Sequence, residues 1–140
     1  MRKFTSMLVV FLAAAALAIA HHGLAAFDQN AKVTLKGTVT EFHFVNPHSV
    51  VEFEVKDDKG QVQKWQAEMT SPLHLRGWTA ISIEAGNVVT VTGYRAKSGA
   101  LYLWVTDLSS SNGVELRCSQ TVSGPRPGCA AGPPSGTPGR

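Results

Sequence analysis

KVTLKGTVTEFHFVNPHS, residues 32–49, decides the fold. Val33, Leu35, Gly37 and Val39 alternate with polar residues, the period of a strand with one buried face. Phe42 and Phe44 then continue on the opposite parity. A phase change inside one strand predicts a bulge or a sharp bend, and Gly37 permits close packing there. Pro47 ends the run, because it has no N–H to give to a ladder. The stretch therefore reads as one long, bent first strand followed by a tight turn.

Four more strands follow. Val51, Phe53 and Val55 share one face of the second, with Glu52 and Glu54 on the other. Asp57 to Gly60 is a hairpin turn signal, and Gln61 to Met69 forms the third strand with Trp65, Ala67 and Met69 on one face. TSPLHLRGW changes character. Thr70 or Ser71 suits a helix cap, Pro72 its first turn and Gly77 its end, which predicts a helix of one or two turns. Val88 to Arg95 and Leu101 to Leu108 are the fourth and fifth strands, joined at Lys97-Ser98-Gly99. Three strands, a short helix and two strands match an all-β fold, the five-stranded Greek-key barrel called the OB-fold. A barrel also removes the edges that an open sheet would leave.

The flanks differ from the barrel at 32–108. Arg2 and Lys3 precede an uncharged apolar run from Met7 to Ala20, and Ala18-Ile19-Ala20 is a small-x-small cleavage site. These are the parts of a secretion signal. As a helix the run would reach only ~21 Å, short of the ~30 Å of a bilayer core. The expected mature chain starts at His21 and is periplasmic or secreted and soluble. Residues 21–31 form an arm in which Leu24 and Phe27 could anchor by burial. From Ser109, Gly, Pro and Ser supply 17 of 32 residues, which predicts a disordered tail. Cys118 and Cys129 lie in it. An oxidising compartment would let them close one short loop, and two unpaired thiols are the alternative.

Charge argues against a nucleic-acid partner. The whole chain carries +3, but residues 21–108 hold eight Lys/Arg against nine Asp/Glu. The basic balance belongs to the ends, and a nucleic-acid surface needs a concentrated basic face.

HHGLAAFD, VTLKGTVTEFHFVNPHS, WQAEMTSP, LRGW and GNVVTVTGYRAKSG, in that order, resemble an uncharacterised family of small exported bacterial proteins. The resemblance covers about residues 21–108 and implies an OB-type domain, but no function. It marks His21, His22, Asn46, Pro47, His48, Trp65, Glu68, Pro72, Gly77 and Trp78. Gly23 stands where the family usually has serine, and Leu24 where it usually has phenylalanine.

Cleavage after Ala20 would give His21 a free α-amino group beside its imidazole. Both groups become neutral nitrogen ligands near pH 7. A second imidazole from His22 or His48 would complete a nitrogen-rich site suited to Cu(II), with Zn(II) or Ni(II) as looser fits. The alternative is a plain polar N terminus. Distance is the obstacle to a joint site. His21 precedes the first strand and His48 follows it, about 40 Å apart if the strand is straight, and the arm reaches at most ~36–40 Å.

Other residues carry competing readings. His48 sits in a loop bordering the usual OB ligand surface, and with Asn46 it also suits a plain turn. Tyr102 and Trp104 share a strand face and form the best aromatic platform for a peptide, sugar or small molecule, with Asn46 nearby in the loop. Glu68 is expected to brace the helix through Arg76, or to act as an acid with His48. No paired carboxylate or nucleophile motif accompanies it, so the sequence points to a binding module rather than an enzyme. His43 and His74 read as ordinary surface histidines, and Met69 as core.

Overall fold

The computed structural model describes residues 24–118 and 129–132. The strands are β1 (Phe27–His43), β2 (Val50–Lys56), β3 (Val62–Glu68), β4 (Leu75–Arg76), β5 (Val88–Ala96), β6 (Tyr102–Ser110), β7 (Glu115–Cys118) and β8 (Cys129–Gly132). The chain is all-β and its first three strands, β5 and β6 form a closed, OB-like barrel.

β1 makes the closure possible. Its first half pairs with β5 and its second half with β2, both antiparallel. The register shifts between Val39 and Glu41, where the hydrophobic phase changes. Thr40 is the extra residue, and the strand turns there from one neighbour to the other. Gly37 lies in the crossover, where a Cβ would sit 2.4 Å from the Glu54 carbonyl oxygen. β2 pairs with β3, β5 with β6, and β3 closes the barrel by a parallel pairing with β6: Gln66↔Tyr102, Ala67↔Leu103 and Glu68↔Trp104.

Alternation fills the interior. Val51, Phe53, Trp65, Ala67, Val89, Val91, Leu103 and Val105 are buried and pack into one cluster. The two hairpins sit where the turn signals are. The Asp57 carboxylate accepts the Lys59 and Gln61 N–H groups at 2.9 and 2.8 Å, and Gly60 and Gly99 take positive φ.

Three boundaries differ from the sequence reading. β1 starts at Phe27, inside the stretch read as an arm, with a second register shift between Phe27 and Lys32. The expected helix between the third and fourth barrel strands is a single 3-10 turn, Pro72–His74, followed by β4. Ser71 does not cap the backbone, because its hydroxyl and that of Thr70 bond the His74 ring instead, at 3.0 and 3.4 Å. Leu75 is then driven into the core, 1% exposed, which ends the turn.

The third difference is the tail. The chain stays ordered past Leu108, with β7 paired on β6 and Leu116 fully buried. Cys118 and Cys129 form a disulfide, and β8 bridges β7 to β4. Tail-wide composition hides the few apolar residues, Val114 and Leu116, that hold these strands to the barrel. Among the described residues no helix is long and apolar enough to cross a membrane.

Candidate metal and ligand site

The parallel closure places Glu68 and Trp104 side by side, with Gln66 and Tyr102 one step away. Leu103 and Ala67 point inward between them, so Tyr102, Trp104 and Glu68 share the outer face. His48 enters this face from the turn before β2, where Val50 pairs with Glu68. Asn46 lies exposed in the same turn, before a cis bond to Pro47.

Glu68 organises the group. It is only 8% exposed. One carboxylate oxygen accepts the Tyr102 hydroxyl at 2.6 Å. The other contacts Nδ1 of His48. A carboxylate only accepts, so Nδ1 carries the ring proton and Nε2 keeps its lone pair whenever the ring is neutral. Burial pushes the Tyr102 phenol well above its usual value, and the bond to Glu68 and the charge of Glu68 add to this. Tyr102 is therefore held as a donor. The His48 ring meets Trp104 edge-on, 5.4 Å between centroids at 87°.

Phe27 covers the aromatic pair. Its ring stacks on Tyr102 at 5.7 Å and lies 5.8 Å from Trp104, and the residue is only 2% exposed. The platform expected to be open is thus roofed by the start of β1. The segment before Phe27 is tied down on the β5–β6 hairpin. Lys97 Nζ donates to the Ala25 carbonyl at 2.9 Å, and the Lys97 N–H donates to that of Ala26 at 3.0 Å.

Of the residues singled out in the sequence, His48, Tyr102 and Trp104 come together, Asn46 stands at the rim, and His21 and His22 lie outside the described residues. Glu68 does not brace Arg76; its partners are His48 and Tyr102. The pair an acid–base enzyme would need is thus together, without a nucleophile motif beside it. Phe27 is buried, as expected of an anchor for the arm, but the sequence carried no sign that it covers Tyr102 and Trp104.

A second cluster lies on the outer face of β1 and β2. The register sets Glu41 directly opposite Glu52. His43 lies between them, Nδ1 3.6 Å from Glu41 and Nε2 3.4 Å from Glu52. The three residues offer ligand atoms within 4.8 Å of one another. The imidazole thus stands between two carboxylates that face each other across the strand pair. Beside them opens a groove of about 660 Å³ lined by Glu41, Glu52, Lys64, Gln66, Leu101 and Tyr102.

A family model matches residues 9–102, which include β1 to β5 and the whole turn carrying His48. The chain belongs to a family of unknown function, DUF6152. No curated protein matches it in sequence. Among solved structures it is similar to the mitochondrial single-stranded DNA binding protein Rim1 of S. cerevisiae. That match has 16% identity and a TM-score of 0.47, covering 58% of this chain and 93% of Rim1. It is also similar to a ZRD-deleted mutant of TiaS in complex with agmatine, at 19% identity and a TM-score of 0.43, over 77% of this chain and 28% of that one.

Proposed function

We propose that this member of DUF6152 is an exported metal-binding module, with copper the favoured ion, and that His21, His22 and His48 hold it. Export would remove Met1 to Ala20 and give His21 its free amino group. The observation that carries the reading is Glu68 on Nδ1 of His48. Histidines that ligate metals commonly donate their other ring N–H to a carboxylate, which fixes the tautomer and raises the basicity of the ligating nitrogen. Nε2 of His48 is prepared in this way. With the His21 amine and imidazole and the His22 imidazole, the donors are all nitrogen, the set that suits tetragonal Cu(II). The role is capture or handling of the ion in the periplasm or outside the cell.

The test is a Cu(II) titration of the processed protein, with its N terminus checked by mass spectrometry. Tight one-to-one binding that a His21→Ala, His22→Ala variant loses supports the reading. Equal binding by wild type and that variant sinks it. The groove beside Tyr102 favours a second reading, a non-metal module for a peptide, sugar or small molecule. In that case Lys64→Ala and Gln66→Ala abolish ligand binding while the histidine substitutions do not.

A further inference from the structure

We propose that Glu41, His43 and Glu52 form a separate site for a divalent cation of the zinc class on the outer face of β1 and β2. It uses none of the histidines invoked above, so it stands or falls apart from the copper reading.

The bulge in β1 creates the arrangement. The register shift between Val39 and Glu41 sets Glu41 directly across from Glu52, and His43, two residues on, shares the face of Glu41. Like charges directly opposite in a strand pair cost stability. Among the described residues neither carboxylate has a lysine or arginine within ion-pair reach, and each stands instead beside the one imidazole. A neutral imidazole carries a single N–H, so it can serve one carboxylate and turns a lone pair to the other.

The distances point the same way. Charge-assisted N–H···O bonds close to about 2.7–2.9 Å. The His43 nitrogens stand off at 3.6 and 3.4 Å. Donors around a tetrahedral zinc ion, each ~2.0–2.2 Å from the metal, lie roughly 3.3–3.6 Å apart. The trio presents one donor from each residue with all three within 4.8 Å of one another. Glu41 is exposed and His43 and Glu52 are partly so, and side-chain rotation closes the remaining gap.

Glu52 is also held in place from outside the trio. Gln66 faces it across β2 and β3, and the Gln66 amide donates at 3.0 Å to the Glu52 oxygen that faces His43. Ligating carboxylates are commonly fixed by a hydrogen bond of this kind. Imidazole nitrogen and carboxylate oxygen are both zinc ligands, and three protein ligands leave a fourth position open. Glu41, Glu52 and Gln66 all line the 660 Å³ groove, so water or an oxygen donor of a molecule in the groove can fill that position.

The test uses the exported, processed chain and Zn(II) as the probe, read by competition titration against a chelator and by the shift in Tm. In a His21→Ala, His22→Ala, His48→Ala background, one zinc ion per chain should bind and raise Tm. In that background His43→Gln and Glu52→Gln should each abolish saturable uptake and the gain in Tm. Gln66→Ala should weaken binding roughly 10-fold. Glu54→Gln removes a carboxylate from the same face of β2 outside the trio and should leave binding unchanged. Circular dichroism checks the fold of each variant. If the three-histidine background fails to fold, His43→Gln in the wild-type chain should lower the zinc stoichiometry by one. No zinc uptake in the background, or uptake only at millimolar zinc, overturns the inference. So does unchanged binding in His43→Gln or Glu52→Gln, or an equal loss in Glu54→Gln. None of these outcomes touches the copper reading, which the titration of the N-terminal variant decides separately.

Discussion

Tyr102→Phe tests the hydrogen-bond network at its most buried joint. The substitution removes one oxygen and keeps the ring that stacks under Phe27. What is lost is a 2.6 Å bond to the carboxylate of Glu68, itself only 8% exposed. A hydrogen bond to a charged partner contributes about 1.5–3 kcal/mol net, and the half-buried phenol places this one in the lower part of that range. With a urea slope of roughly 1.5 kcal/mol per molar for a domain of this size, the midpoint falls by about 1 M. Urea unfolding at pH 8, followed by tryptophan fluorescence, measures it. The pH dependence then has a fixed sign. The folded phenol titrates above its usual value and the unfolded one near pH 10. Above pH 10 the unfolded chain binds fewer protons than the folded one, so stability falls as pH rises. The contribution of Tyr102 is complete below the unfolded value and is lost towards the folded one. Phenylalanine cannot ionise, so the gap between wild type and variant should narrow from pH 8 to pH 11. A loss under ~0.3 kcal/mol at pH 8, or a gap that widens with pH, refutes the network as described.

The remaining predictions concern the frame. Gly93→Ala would put a Cβ 2.2 Å from the Trp104 carbonyl oxygen, a backbone atom that cannot swing aside. It should cost about 2 kcal/mol or more in urea unfolding. Gly60→Ala meets nothing within 4 Å but has φ +77°, so it should cost only about 1 kcal/mol. Replacing Cys118 and Cys129 together by serine should cost roughly 2–3 kcal/mol. Hydrogen exchange should show protection lost in Glu115–Cys118 and kept in β1 to β3.

Much of the barrel was legible because it depends on local chemistry. The parity change between Val39 and Phe42 announced the bulge, and Asp57 and Gly99 announced the hairpins. What stayed hidden was set by side-chain competition inside one turn and by non-local pairing. The helix between β3 and β5 shrank because two hydroxyls that could have capped it found the His74 ring. The tail strands depend on Leu116 and a disulfide, and 17 Gly, Pro and Ser residues of 32 mask both in any average over the segment. Glu68 looked like a partner for Arg76 because the two are eight positions apart in the sequence. Its real partners lie 20 positions before it and 34 after it. Only the parallel register Glu68↔Trp104 brings them together, and a single sequence carries no sign of that pairing.

The same closure brings the start of β1 and the turn carrying His48 to one seam. A straight first strand would hold its two tips far apart. β1 is a bent strand that gives its first half to β5 and its second half to β2. β5 continues to β6, β2 continues to β3, and β6 and β3 pair with each other. Both tips of β1 therefore approach the same seam by opposite routes around the barrel. Phe27 arrives at it over Trp104 and Tyr102, and His48 arrives beside Glu68. A bulge of one residue at Thr40 is what lets the strand serve both neighbours. The feature that decides the fold thus also brings the start of β1 beside the turn carrying His48. The separation along β1 measures the path around the barrel wall, not the gap across the seam.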